Sequence, residues 1–249
     1  MTPDIQITKT GPVLEIYFNR PQKKNALTRD MYKAMAQAFQ DAEADAEIRI
    51  ILLSGTPDAF TAGNDLGDFL NAPPRVGDSA GMTFLRTVAQ STRVLVAAVD
   101  GVAIGIGATM LLHFDLIVAG RSAKFQLPFV DLALVPEAAS TLLLPRLVGH
   151  QRAAELLLLG EFFTADRAYE LGIVNRVVDD GQALVVAQEM VAKLAAKPPT
   201  ALALTRRLLH DTSGTVLERI TGEGIHFAAQ LQSDEARQVF QKFLTRAKG

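Results

Sequence analysis

Residues 94–119 read VLVAAVDGVAIGIGATMLLHFDLIVA, and this stretch decides the fold. Val94 to Val99 is a short apolar run rich in β-branched residues and predicts a strand. Gly101, Gly105 and Gly107 punctuate the next segment, Gly105 to His113 suits a helix, and Asp115 to Ala119 predicts a second strand. The same alternation lies upstream. Thr28 is placed to cap a helix over 29–43, Ile48 to Leu53 predicts a strand, and a helix is expected over 81–91. Strands and helices that alternate along the chain predict a layered α/β fold.

Toward the N-terminus, Ile5 and Ile7 alternate with polar residues, Lys9-Thr10-Gly11-Pro12 interrupts, and Val13 to Phe18 runs apolar again, which predicts a hairpin. Asn71 to Asp78 carries two Pro and a Gly and reads as an exposed loop, a candidate lid. Beyond Gly149 the periodicity is mostly helical, with segments at 152–159, 165–171, 183–196, 202–210 and 216–232 and one strand near 173–178. Lys197-Pro198-Pro199 marks a boundary between a core, residues 1–196, and a helical region, 197–249, whose apolar positions must pack on something.

Composition excludes several classes of function. With 25 Lys and Arg against 27 Asp and Glu, the chain offers no overall electrostatic grip on nucleic acid or an anionic membrane. Zero Cys removes disulfides, thiolate nucleophiles and Cys-ligated metal. The four His residues stand at 113, 150, 210 and 226, at no metal-ligand spacing, so no metal is expected. The N-terminus lacks the basic segment and apolar run of a signal peptide, and no apolar stretch is long enough to span a bilayer. A cytoplasmic location is the expectation.

Two glycine-bearing segments follow strands and open helices: Phe60-Thr61-Ala62-Gly63-Asn64-Asp65-Leu66 and Asp100 to Thr109. A helix N-terminus presents unpaired N–H groups, so each is a candidate anion site, although any one such segment reads first as a tight turn. Met110 stands where a dinucleotide fingerprint needs its third glycine, and no Lys-Ser or Lys-Thr pair follows for a P-loop.

With these segments in order, the chain resembles the enoyl-CoA hydratase/isomerase (crotonase) family over nearly its whole length. Asn19 to Leu27 resembles the family's first motif, Phe60 to Leu66 its Ala-Gly-x-Asp-Leu motif, and Asp100 to Gly107 with Asp115 to Ala119 its glycine-rich helix start and next strand. Leu142 to Gly149 and Glu155 to Val178 continue the match. The resemblance implies a ClpP/crotonase-like α/β spiral of ββα units. It also implies a C-terminal helical trimerisation region, giving a homotrimer or a hexamer made as a dimer of trimers. The ligand it implies is an acyl-CoA substrate, with no cofactor beyond the coenzyme A that the substrate carries.

By the same resemblance, backbone N–H groups of Asn64 and Ile106 form an oxyanion hole, and Gly63, Asp65, Leu66 and Gly105 belong to the two loops that bind the thioester. Ile106 stands where the family usually has glycine. Lys23 and Lys24, beside Ala26 in the first motif, are candidate partners of the nucleotide phosphates, and Ala62 offers its carbonyl to the adenine. In the C-terminal segment 240–243 the family lysine falls on Phe243, leaving Lys242 as a weak substitute. Donors placed where an enolate oxygen develops charge are worth several kcal/mol each, about 3–4 by mutagenesis.

The carboxylates discriminate among reactions. The two glutamates of a hydratase fall on Thr109 and Phe129, so the water-splitting pair is missing. Glu137, in Leu134-Val135-Pro136-Glu137-Ala138-Ala139-Ser140, resembles the single catalytic glutamate of one Δ3,Δ2-enoyl-CoA isomerase branch, where Glu-Gly replaces Glu-Ala. One carboxylate in apolar surroundings can take a proton from C2 and return it at C4. On the residues alone Glu137 reads equally well as a helix N-terminal residue after Pro136, and the family position favours the catalytic reading. Asp131 and Glu161 are weaker bases, and Leu66, Phe69, Leu70, Phe84, Leu132 and Leu134 are candidate acyl-pocket residues. Alternatives to the isomerase are a hydratase or other lyase of the same family, and a non-catalytic binder of acyl-CoA or RNA.

Overall fold

In the computed structural model of this chain, residues 2–71 and 79–246 are described. The candidate lid at 71–78 falls, apart from the backbone of Asn71, outside those residues. The chain divides into two compact units, residues 1–192 and 193–249.

In the first unit, β1 (Ile5–Thr10) and β2 (Val13–Phe18) form the expected antiparallel hairpin. Gly11, at φ 54°, makes its tight turn. α1 (Arg29–Ala44) starts where Thr28 predicts, its side chain accepting the Met31 N–H at 3.3 Å. Next come β3 (Ile50–Ser54), β4 (Ala59–Thr61), α2 (Leu66–Asn71), α3 (Ala80–Gln90), β5 (Val94–Val99), β6 (Val102–Ile104) and α4 (Ile106–Thr109). β7 (Leu116–Gly120), β8 (Lys124–Gln126), α5 (Ser140–Val148), α6 (His150–Leu159), β9 (Phe163–Thr164), α7 (Ala165–Glu170), β10 (Arg176–Val178) and α8 (Ala183–Ala195) follow, α8 crossing into the second unit.

Two sheets result: six strands ordered β1-β2-β3-β5-β7-β10, and four short strands ordered β4-β6-β8-β9. From β2 to β10 the larger sheet is parallel, and β3 and β5 are buried along their whole length. That is why those strands read as unbroken apolar runs rather than alternating ones. α1 buries Met31, Tyr32, Met35 and Phe39, and α3 buries Phe84 and Val88. Phe84 lies between the rings of Tyr32 and Phe39, with centroids 5.8 Å from each.

Sequence and structure differ in two places. The segment expected as one helix over 105–113 is a single α turn followed by a 3-10 turn, Met110–His113, the tightening common where a helix ends. The smaller sheet has strands of two or three residues, too short for periodicity to register.

The second unit holds α9 (Pro199–His210), α10 (Val216–Leu231) and α11 (Asp234–Arg246). Thr215 and Glu218 close a capping box on α10. The Glu235 carboxylate accepts the N–H groups of Thr200 and Ala201 at the start of α9. α10 buries no side chain of its own, and Leu217, Ile220, Phe227, Phe240 and Phe243 are exposed.

Candidate active site

The smaller sheet builds the site. β4 and β6 are parallel neighbours, so their chains leave the sheet at the same end. From β4 the backbone passes through Gly63 to Asn64, and from β6 through Gly105 to Ile106. Gly63, at φ 89°, packs so closely on β6 that an added Cβ would lie 2.8 Å from the Ile104 carbonyl oxygen. Gly107 packs back on Thr61, where a Cβ would meet the threonine Cγ2 at 2.5 Å. Gly105 has open space around it but adopts φ 57° and ψ −119°, a backbone that favours glycine.

Both loops leave an amide unspent. Leu27 bridges the first one: its N–H donates to the Gly63 carbonyl at 2.8 Å and its carbonyl accepts the Asp65 N–H at 2.9 Å. In such a parallel bridge the intervening Asn64 turns its own N–H away, and that N–H meets no acceptor among the described residues. Ile106 opens α4, so its N–H is one of the orphan donors of a first turn and is equally unpaired among the described residues. α2 and α4 are one or two turns long, so individual N–H groups rather than a helix dipole supply the positive end.

A web of bonds behind the loops holds them still. The fully buried Asn25, at φ 55°, accepts the Arg20 N–H at 2.8 Å and donates its side-chain N–H groups to the carbonyls of Ala59 and Phe60 at 2.7 and 3.2 Å. Arg20 donates to the Ala26 carbonyl and the Asp65 carboxylate, both at 2.8 Å. That guanidinium, opposed by desolvation, holds the Asp65 carboxyl below its usual range. The Ala62 N–H bonds the Lys24 carbonyl at 2.9 Å, which ties the first motif to the second. Lys23 and Lys24 are exposed, and Leu66 is half exposed.

Glu137 supplies the carboxylate. It stands three residues before α5, separated from it by Ala138 and Ala139, both at φ 54°. Ser140 donates through both its N–H and its hydroxyl to the Glu137 carbonyl, closing the turn. His113 Nε2 lies 2.9 Å from the Ala138 carbonyl. The Glu137 side chain therefore does not cap the helix. Its Oε1 accepts the hydroxyl of the buried Thr109, the last residue of α4, while Oε2 is out of solvent and without a partner among the described residues. Burial raises this carboxyl from 4.5 to about 7, opposed in part by the Thr109 bond.

Tyr32 links the Asn64 side chain to the surroundings of Glu137. Its phenol donates to Asn64 Oδ1 at 2.6 Å, and burial, reinforced by the nearby Glu137 charge, pushes its pKa well up, so the phenol stays neutral. Glu137 is thus linked to α4, which carries Ile106, through Thr109, and its charge is felt at Tyr32, which bonds Asn64. Sequence reading passed over Tyr32, and the signal was there: a tyrosine on the buried face of a helix needs a partner for its hydroxyl. Asp131 and Glu161 are exposed, Phe129 and Phe84 are core, and Leu70, Leu132 and Leu134 are exposed. The Phe69 side chain falls outside the described residues. Lys242 lies on exposed turns of α11. Among the described residues no group of acidic or His side chains is placed to hold a metal ion, and no helix is long and apolar enough to cross a membrane.

Known proteins similar to this chain share a family. The enoyl-CoA hydratase/isomerase pattern matches residues 8–249. An Escherichia coli K12 protein named 1,2-epoxyphenylacetyl-CoA isomerase is 35% identical over 83% of this chain and 81% of its own. Rat enoyl-CoA delta isomerase 2 is 31% identical over 97% of this chain, which spans 63% of the rat protein. A solved structure from Magnetospirillum magneticum AMB-1, provisionally named an enoyl-CoA hydratase/carnithine racemase, superposes with a TM-score of 0.95 at 39% identity, covering 99% of this chain and 97% of that one. Their named activities differ, so the likeness carries a shared fold and ligand class rather than one reaction.

Proposed function

This chain is a crotonase-fold member of the enoyl-CoA hydratase/isomerase family, and on that premise we propose that it is an enoyl-CoA isomerase moving a double bond from the 3- to the 2-position of an acyl-CoA. Glu137 Oε2 takes the proton from C2, the C–H electron pair enters a dienolate, and the charge settles on the thioester oxygen between the Asn64 and Ile106 amides. Return of the same proton to C4 breaks the Oε2–H bond and leaves the double bond between C2 and C3. The observation that carries this reading is Oε2 itself: a buried carboxylate oxygen with no partner among the described residues and a pKa of about 7, poised to accept and release a proton near neutrality.

Hydration is disfavoured because activating water takes a second carboxylate, and the positions for the hydratase pair hold Thr109 and Phe129, the latter buried in the core. We assign Lys23, Lys24, Ala26 and Ala62 to the nucleotide end of the CoA and the loops at Gly63, Asp65, Leu66 and Gly105 to the thioester, with no cofactor besides the CoA of the substrate. The exposed apolar side chains of α10 and α11 support assembly into trimers or hexamers.

Glu137→Gln tests the reaction. Conversion of a 3-enoyl-CoA to its conjugated isomer should fall by roughly 10²–10⁴-fold, the usual worth of a positioned acid–base group. An unchanged rate, or hydration of crotonyl-CoA by the wild type as fast as isomerisation, would sink the reading.

A further inference from the structure

Thr109 occupies a place where two acceptors compete for one proton. A threonine inside a helical turn ordinarily gives its hydroxyl proton to the carbonyl four residues back, and Thr109 Oγ1 does lie 3.3 Å from the Gly105 oxygen. That carbonyl is already occupied, by the N–H groups of Ala108 and Thr109 at 2.9 Å each. Glu137 Oε1 is the nearer acceptor and, when ionised, the stronger one, since bonds to charged groups are roughly twice as strong as neutral ones. The hydroxyl proton therefore belongs to the carboxylate. The two oxygens of Glu137 are left unequal: Oε1 is held from α4, and Oε2 has no partner among the described residues.

We propose that Thr109 is a positioning residue of this site: its hydroxyl fixes Oε1 of Glu137 and so makes Oε2 the oxygen that exchanges the proton with the acyl chain. The inference deepens the isomerase reading and rests on Glu137 being its base. α4 begins with the Ile106 amide and ends with Thr109, so one helical turn carries both an oxyanion donor and the anchor of the base. The separation between the place where charge develops and the place where the proton goes is then set by a single rigid turn. Glu137 needs this anchor because its own turn, with two left-handed alanines, does not determine where a freely rotating carboxyl points.

The test replaces the hydroxyl while keeping the shape: Thr109→Val, with Thr109→Ala as a variant that cannot overpack the buried site and Thr109→Ser as the rescue. Two quantities are read. The first is the titration of the Glu137 carboxyl in the substrate-free protein, followed by carbon-13 NMR. The second is the pH profile of kcat and KM for 3-enoyl-CoA isomerisation. In the Val and Ala variants the Glu137 midpoint should rise by about one pH unit or more, because a bond that favours the carboxylate is gone. kcat should fall about 10-fold or more with KM changed less than about threefold, as expected when an interaction with the reacting group, not uniform substrate binding, is lost. The Ser variant should recover most of both.

Wild-type titration of Glu137 in the Val and Ala variants overturns the proposal, as does a Ser variant that behaves like Val. If Val and Ala fail to fold while Ser folds, the hydroxyl serves the fold and the proposal falls. Because the titration needs no substrate, it separates this inference from the isomerase reading, whose failure would appear in turnover alone.

Discussion

Asn64 and Ile106 stand just past the ends of two paired parallel strands, whereas Glu137 stands on a turn of two left-handed alanines between β8 and α5. The proposed donors are backbone groups, placed by strand pairing and by glycines that let the segments of β4 and β6 approach. The proposed base is a side chain, held by a hydroxyl from another segment and carried on a turn closed by Ser140. The contrast teaches where chemistry can change. On the proposed roles, backbone donors survive exchange of their own side chains so long as the glycines beside them are kept, while a side-chain base is lost by altering one residue.

Striking the proposed donors through their backbone should give an effect at the lower end of that expected for Glu137→Gln, and larger than those that follow. Gly63→Ala places a methyl 2.8 Å from the Ile104 oxygen at a φ of 89°, so the loop must shift and carry the Asn64 amide with it. Steady-state kinetics should show kcat reduced by on the order of 10²-fold, the usual worth of one oxyanion donor. Near-normal turnover would mean that the amide does not serve the reaction, and the contrast would break.

The base responds to pH in a way the amides do not. Burial raises Glu137 from 4.5 to about 7, so between those values the folded chain holds a proton that the unfolded chain has released. Its contribution to stability is therefore whole below the lower value and lost as pH climbs through the upper one. Glu137→Gln should stabilise the protein by roughly 1–3 kcal/mol at about pH 8 and hardly at all at about pH 4, read from denaturant unfolding at the two values. The reverse ordering would show that the carboxylate is solvated or paired in the fold.

Ala138→Gly probes the turn itself and carries the smallest effect. At φ 54° alanine is strained and glycine is not, so stability should rise by up to about 1 kcal/mol while kcat stays within about twofold, provided Thr109 alone aims the carboxylate. A large drop in kcat would show that the strain helps to aim the base.

The legibility of the sequence obeys the same division. The hairpin, α1 with its Thr28 cap, and β3, β5 and β7 were readable because long buried strands and capped amphipathic helices write their periodicity into the residue order. The two glycine-bearing loops were readable because backbones such as those at Gly63 and Gly105 favour glycine, whereas the donor role proposed for Asn64 and Ile106 was implied by the family resemblance alone. β4, β6, β8 and β9 were not, since strands of two or three residues carry no pattern. Glu137 was visible as a residue, but its buried carboxylate was not, because the hydroxyl that bonds it, Thr109 on α4, and the nearby phenol of Tyr32 on α1 come from distant segments. Those contacts exist only after folding.

The pairing of β4 with β6 also sets a gauge. Neighbouring strands lie about 4.8 Å apart, and if that interval carries on to the two amides, an oxygen about 2.9 Å from each would see them at an angle of roughly 110°. That is close to the directions in which an enolate oxygen offers its electron pairs. Such a gauge would come from the spacing of polypeptide itself rather than from any side chain, so a new acyl chain would be accommodated by moving what surrounds it.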